Sequence, residues 1–402
     1  MKNNNENQHF MTRPITHFGT SNASKLMSAF HSLGSELLTD LLKYYAHPNK
    51  KKSLRTWKMK DACQMTGRSE AFLRKLENES SEYIPHKDES GVRYYDLNLI
   101  NKIRDKAKTR YIRPLGSRPM VMAISNFKGG VAKSTTSLHL VQKCALQGFR
   151  CMIVDLDPQA TLSLSFGFVP DIDIHPDETI RSALLESPEN INNLIKNTYF
   201  PGIDIIPGNL SLSDLELVLS NLSVQEKQLE KLGMPNIRIK TAVDEISKNY
   251  DVIFFDCGPN LGMLTINAVT AANALLVPIP PMMNDLGSFV TFTGTLEHLF
   301  KQLNKNFDFF RIVLTKHSES QLSKQIEILM REKFGAYILQ KNIVTSVEIE
   351  KSSSSFSSVY EMSKKSTKSY HRAIESLNSV FDEIISSFKH IWNTQHQIMI
   401  KE

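Results

Sequence analysis

Lys128 and Lys133 stand five residues apart in a loop that reads Lys128-Gly-Gly-Val-Ala-Lys133-Ser134-Thr135. Two cations, two glycines and adjacent hydroxyls in so short a span suit the holding of a phosphate chain. Gly129 and Gly130 open backbone conformations closed to other residues, so successive N–H groups can turn inward toward an anion. Lys133 is spaced to reach β- and γ-phosphates, and the Ser134 hydroxyl to ligate Mg²⁺. Val131, Ala132 and Thr135 complete the expected cradle. The template G-x-x-x-x-G-K-[ST] would put glycine at Phe127 and Ala132, so this loop is a variant of it.

Two acidic motifs follow. Cys151-Met-Ile-Val-Asp155-Leu-Asp157-Pro-Gln159 is an apolar strand ending in two acids, and Asp251-Val-Ile-Phe-Phe-Asp256-Cys-Gly-Pro259 repeats the design. Acids at the carboxyl ends of strands lie in the crevice where open parallel sheets bind ligands. Asp256 at such an end would hold Mg²⁺. Each strand alone is common in α/β proteins; the three motifs in this order and spacing are specific.

The elements that must carry these residues are legible. Val121 to Ser125 reads as a buried strand, and Ser134 onward as a helix with Leu138, Val141 and Ala145 on one stripe and Gly148 as its stop. Ile203–Ile206, Phe310–Leu314 and Ile343-Val-Thr are strand-like, with helical stretches between them. Val277-Pro-Ile-Pro-Pro281 reads as a rigid loop after a strand. The expected fold class is α/β, a doubly wound, mostly parallel sheet of the P-loop NTPase kind, preceded by an α-helical and winged helix-turn-helix region.

The string K-G-G-x-x-K-S-T, with Lys128 ahead of Lys133, resembles the deviant Walker A of the ParA/MinD group of P-loop ATPases. V-D-x-D-P-Q is similar to that group's switch I, and the strand ending in Asp256 to its Walker B. The resemblance implies a weak ATPase using ATP/ADP and Mg²⁺. In it Lys128 would reach across a dimer to the partner's nucleotide, Asp157 would position the attacking water, and Asp155 would support the metal region, giving Ser134, Asp155, Asp157 and Asp256 as the metal set. The family's proline-rich loop lies beside the adenine, which makes Pro278 and Pro280 candidate base contacts. Ala132 stands where glycine is commonest; alanine tolerates a helical conformation, so the site is expected to survive with an altered nucleotide affinity.

Composition bounds the rest. The chain has 402 residues, 41% of them hydrophobic, enough for more than one domain. No apolar run is long enough to span a bilayer, and the polar start lacks a secretory core. Cys63, Cys144, Cys151 and Cys257 form no C-x-x-C pair, which points to a reducing cytoplasm. Residues 1–118 carry 22 Lys and Arg against 12 Asp and Glu, whereas the remainder carries 26 against 30. The basic excess precedes the phosphate loop, as a nucleic-acid-binding module joined to a near-neutral enzyme would have it; a merely soluble basic region is the plain alternative.

Periodicity sharpens that choice. Lys58 to Met65 reads as a helix, Thr66-Gly67 as a turn, and Ser69 as the cap of a second helix, Glu70 to Glu77, burying Phe72, Leu73 and Leu76. Tyr83–His86 and Val92–Tyr95 around a turn would form a wing, and Asp96 caps a further helix. Longer partition ATPases of the ParA and SopA type carry such a winged module and bind their own operator with it. On that reading Arg68, Arg74 and Lys75 meet the major groove or its phosphates, and Lys87 or Arg93 contacts backbone; a solvated helix face explains the same residues. Ser21 to Tyr45 is an amphipathic helix, for dimer contact by resemblance or for packing. The expected boundaries are 1–47 for this helix, 48–112 for the winged module and 113–402 for the ATPase, with the Pro-, Gly- and Arg-rich stretch 109–119 as linker.

The serine-rich segment 350–358 reads as low-complexity, with an exposed loop as its plain reading. In ParA-type proteins this region contributes to a basic, sequence-blind DNA surface, which carries over to Lys341, Lys351, Lys364, Lys365 and Lys368; a solvated rim explains them equally. Ala373 to Trp392 is an amphipathic helix read as core, with a MinD-like membrane tail as its rival. The resemblance therefore implies a cytoplasmic, nucleoid-associated homodimer that binds DNA and is stimulated by a ParB-type centromere-binding partner to segregate plasmid copies. A nucleotide-responsive transcriptional repressor and a MinD-like membrane ATPase are the alternatives.

Overall fold

The computed structural model describes residues 23–46, 52–221, 232–362 and 367–401. Lys364 and Lys365 lie outside the described residues. Helix α1, Ala23–Ala46, belongs to a unit of its own, residues 1–50. Taken by itself it exposes Leu26, Met27, Phe30, Leu33 and Leu37, one apolar stripe at helical spacing.

The next segment is the winged helix-turn-helix that the periodicity predicts. It runs β1 (Trp57–Lys58), α2 (Met59–Thr66), α3 (Glu70–Glu79), β2 (His86–Lys87), β3 (Arg93–Tyr95) and α4 (Leu97–Ala107). Gly67 closes α2 in the left-handed region at φ 66°. Ser69 accepts the Phe72 amide and Asp96 the Leu99 amide, so both expected caps form. The wing is short. Asp88 gathers the Ser90 and Val92 amides into its turn, and β3 lies antiparallel between β1 and β2. Residues 81–83 form a 3₁₀ turn, which leaves only His86 and Lys87 as the first wing strand.

The remaining strands build one sheet. They are β4 (Met120–Ile124), β5 (Cys151–Asp155), β6 (Lys196–Asn197), β7 (Ile203–Ile206), β8 (Val252–Asp256), β9 (Ala274–Ile279) and β10 (Phe309–Leu314), in spatial order β10-β9-β4-β8-β5-β7-β6. All pairs are parallel except β6 against β7. The helices are α5 (Lys133–Leu146), α6 (Thr161–Ser165), α7 (Arg181–Leu185), α8 (Ile191–Leu194), α9 (Ser211–Asn221), α10 (Arg238–Ile246), α11 (Met263–Ala271), α12 (Met283–Leu303), α13 (Gln321–Phe334), α14 (Val347–Ser354) and α15 (Lys368–Lys401). Alternation along β4 sorts the two cores. Met120, Met122 and Ile124 pack with Leu138, Val141, Phe381 and Trp392 on one face, while Val121 and Ala123 pack with Leu215, Ile239, Leu264 and Phe292 on the other.

The first of these cores continues into the winged module through Trp57, Leu73, Tyr95 and Ile100. Arg104, 5% exposed, ties the two parts by donating to the carbonyl of Met65 at 3.0 Å and to that of Leu146, at the end of α5, at 2.8 Å. Residues 51–402 form one compact unit, and within it the 109–119 stretch runs as largely exposed chain, with Ile112 and Leu115 each 82% exposed. Two expectations change. Ile343-Val-Thr is no strand: Ile343 donates to Leu314 and Val344 makes a single bridge to His317. The serine-rich segment is not a loop throughout, because α14 runs to Ser354 and buries Ile349 and Ser352, and Ser358 beyond it is also buried. The stripe of α15 is core, with Leu377, Phe381, Ile384, Ile385, Phe388 and Trp392 all buried. Among the described residues no helix is long and apolar enough to cross a membrane.

Candidate active site

Strand register brings the three motifs to one edge. Ile124 and Asp155 both pair with Asp256, so the loop after β4 opens level with two neighbouring carboxylates. The loop's own shape comes from fixed hydrogen bonds. Asn126 donates to the Pro278 carbonyl at 2.8 Å and accepts the Lys128 amide at 3.3 Å, and Thr315 donates to the Val131 carbonyl at 2.9 Å. Gly130 stands at φ 76° and Ala132 at φ 69°. Left-handed residues alternating with right-handed ones turn amides inward, the geometry of an anion nest that runs into the start of α5.

Ala132 thus departs from the expectation of a helical residue, because it is left-handed and precedes the first turn of α5. A Cβ in that region costs about 1 kcal/mol. Ala132→Gly is expected to raise the unfolding free energy by roughly 0.5–1 kcal/mol, after the loss from a freer unfolded chain. Thermal unfolding checks this, and a lower melting temperature would show that the methyl's contacts outweigh the strain.

Lys133 is 7% exposed and its Nζ donates back across the loop to the Lys128 carbonyl at 2.9 Å. Burial lowers its pKa, and Asp256, Cys257 and Asp157 oppose that fall. Lys128 Nζ lies 2.9 Å from Asp285 Oδ1. Asp256 is fully buried. Its Oδ1 accepts the Ser137 hydroxyl at 2.7 Å, while Oδ2 has no partner among the described residues. Burial raises the Asp256 pKa above the ordinary carboxylate range; Ser134 and Ser137 pull it down, Asp157 pushes it up and Lys133 pulls it down. An orphaned carboxylate oxygen beside Ser134 and Lys133, under a cradle of amides, fits a divalent cation and a phosphate chain.

Asp155 is held by the segment that follows its own strand. Its Oδ2 accepts the amide and hydroxyl of Ser163 at 2.8 and 2.7 Å, and its Oδ1 accepts the Asp157 amide at 3.2 Å. Both oxygens thus brace the segment that follows β5, and Oδ1, with one amide on it, keeps a further lone pair. Burial, then Asp256, raises the pKa of Asp155 as well. Asp157 is partly exposed, faces Gly258 across the cleft and accepts the Gln159 amide at 3.0 Å.

Pro278 lies inside β9 and Pro280 just beyond it, and both are buried. Neither lines the cavity of about 310 Å³ bounded by Ala132, Thr136, Lys316, Thr345 and Glu350. Asn126, Ser137, Thr315 and Asp285 escaped the sequence reading. The signal for Thr315 and Lys316 was their place at the carboxyl end of Phe310–Leu314, the same rule that located Asp155 and Asp256.

The candidate DNA residues divide into two sets. Arg68 donates to the Ala107 carbonyl at 2.6 Å and stacks on Phe72, and Arg93 pairs with Glu77 at 2.8 Å, so both hold the module together. Lys87 shares Glu77 at 2.5 Å but is more exposed than Arg93. Arg74 and Lys75 make only exposed i,i+4 pairs with Glu70 and Glu79, which solvent screens. Lys341, Lys351 and Lys368 are exposed, far along the chain from the winged module.

The AAA domain family model matches residues 120–309, the span from β4 to the start of β10. A protein of Rhizobium rhizogenes named provisionally as a replication protein A is 31% identical, over 90% of this chain and 93% of its own length. SopA of Escherichia coli K12 is 33% identical, over 84% of this chain and 90% of SopA. The chain belongs to the ParA/SopA-type plasmid partition ATPases. A solved partition protein shares the fold of this family member at a TM-score of 0.63 and 19% identity, covering 89% of this chain and 98% of that one. The match to SopA extends beyond the nucleotide motifs that ParA-type proteins share, because it takes in most of both chains.

Proposed function

We propose that this ParA-type ATPase binds MgATP in the β4–α5 loop, dimerises around it, and hydrolyses it weakly until a ParB-type partner bound at a centromere-like site stimulates turnover. The cycle segregates plasmid copies in the cytoplasm, on the nucleoid. The observation that carries this reading is the convergence, at one sheet edge, of the amide nest, Lys133 and the unpartnered oxygen of Asp256.

In this mechanism the amides of Gly129 to Thr135 and Lys133 would hold the phosphates, and Ser134 and Asp256, with Asp155 and Asp157 beside them, would hold Mg²⁺. The bound metal neutralises charge on the phosphate oxygens. Asp157 orients the attacking water, and Lys128 engages the phosphates across the dimer. Phosphoryl transfer asks for positioning and charge neutralisation more than covalent chemistry, which suits a site built from fixed donors. The base lies beside Pro278 and Pro280 at the end of β9, as the family resemblance implies.

DNA is bound in two ways. Arg74, Lys75 and Lys87 of the winged module meet the operator, with Arg68 and Arg93 holding the reading surface in shape. Lys341, Lys351 and Lys368 contribute to a sequence-blind surface. The functional divisions remain 1–47, 48–112 and 113–402, with α1 as dimer contact, since its apolar stripe is exposed within its own unit. A repressor whose hydrolysis is incidental is the second reading, favoured by the complete winged module. The MinD-like alternative loses its support, because the α15 stripe is core.

The test is an ATPase assay with and without DNA and the product of the neighbouring gene. Stimulation by both together supports partition. Operator binding that responds to nucleotide, with turnover unmoved by either addition, favours the repressor.

A further inference from the structure

Both lysines of the loop are turned toward protein acceptors. Lys133 reaches the Lys128 carbonyl, and Lys128 is drawn aside to Asp285 Oδ1 at 2.9 Å. Asp285 lies in the first turn of α12, three residues past the Pro280-Pro281-Met282 turn, and is 4% exposed. Among the described residues Lys128 is the one cation in an ion pair with it. Lys128 itself keeps about a third of its side chain in solvent, at 36%, so it has room to leave.

We propose that Asp285 is a positioning residue that parks Lys128, so that a triphosphate engages this lysine only by displacing a buried carboxylate. The proposal rests on the reading of Lys128 as a phosphate-engaging group. When Lys128 leaves, the carboxylate stays in a desolvated place with only the amino end of α12 to compensate it. That cost falls on the engaged form alone. A ligand with more charge at the end of its phosphate chain outcompetes the carboxylate better, and the pair thereby separates ATP from ADP. The separation of 157 positions between the two partners hides this from any local pattern; β9 and β4 are neighbours in the sheet, which brings the helix after one strand beside the loop after the other.

Asp285→Asn keeps the volume and removes the charge. With a fluorescent ATP analogue and Mg²⁺, its half-saturating concentration is expected to fall roughly tenfold, the size suited to one half-buried ion pair. The corresponding ADP analogue should move less, so that discrimination narrows. Asp285→Glu should stay near wild type, and Asp285→Ser carries the same expectation as the asparagine variant should that one melt early. In a Lys128→Ala background, Asp285→Asn should add nothing. An unchanged or higher ATP requirement overturns the proposal, and so does an equal shift in the Lys128→Ala background, which would make Asp285 merely structural. If Lys128→Ala itself leaves ATP binding and ATP-dependent dimerisation intact, the reading of Lys128 falls instead.

Discussion

Lys133→Ala is expected to lose MgATP binding by a factor of about 100 or more, with hydrolysis falling below detection, while the chain stays folded. Lys133 is nearly buried at the first position of α5, and its ammonium spans the mouth of the nest. A cation so placed meets phosphate charge in a low-dielectric setting, where its removal costs several times what it would at the surface, about 3–5 kcal/mol. The folded state loses much less. One hydrogen bond to a carbonyl is worth about 1 kcal/mol, and alanine is the best helix former at the vacated position. Two melting experiments separate these effects. The unliganded variant should melt within a few degrees of wild type, whereas the stabilisation that MgATP gives the wild type should vanish. A variant that still gains stability from MgATP would remove the centre of the functional reading.

Asp256→Asn should act in opposite directions on function and stability. Hydrolysis is expected to drop about a thousandfold, because the amide cannot hold the cation that Ser134 and Asp256 share. The unliganded protein should become more stable by about 1–2 kcal/mol, since a buried charge with one unpartnered oxygen is replaced by a neutral group of equal size. The pH dependence follows from the direction of the shift. Burial raises the Asp256 pKa above its unfolded value near 4, so the folded protein binds this proton more tightly than the unfolded chain does. This group's contribution to unliganded stability therefore grows as pH falls from neutrality toward about 4, and declines as pH rises through the folded pKa. Metal-assisted nucleotide binding runs the other way: protonation removes the ligand, and affinity should weaken by up to about tenfold per pH unit below the folded pKa. Calorimetry in buffers of different ionisation enthalpy should record proton release on MgATP binding by wild type and much less by the asparagine variant. Equal release from the two would assign the proton elsewhere, with Asp155 the first candidate.

Much of the scaffold was legible because its causes are local. The strand before the loop, the α5 stripe, the Ser69 and Asp96 caps and the acids ending β5 and β8 each rest on a few neighbouring residues. The misreadings share a different origin. Four serines in a row mask the apolar face of α14, because burial of Ser352 and Ile349 is set by what packs on them and not by their own composition. Ile343 and Val344 have strand-like side chains, yet they make a single bridge, to His317 beyond β10, with hydrogen bonds to Leu314 and His317 around it, too little to form a ladder. Asp155 and Asp256 look alike in sequence. Only the fold distinguishes them: Ser163, in α6, donates to Asp155, whereas Asp256 keeps an open oxygen.

The sequence by itself determined the chemistry available: a phosphate loop with two lysines, acids at strand ends, and a basic winged module ahead of them, all fixed by residue type and short spacing. Tertiary structure decided the assignment of those groups. It set the handedness at Ala132, the pairing of Lys128 with Asp285, and which of the module's cations are held by neighbouring groups and which stay exposed. The pairing of Lys128 with Asp285 depends on parallel strand order, and a parallel sheet joins residues a hundred or more positions apart through crossovers that no local pattern records.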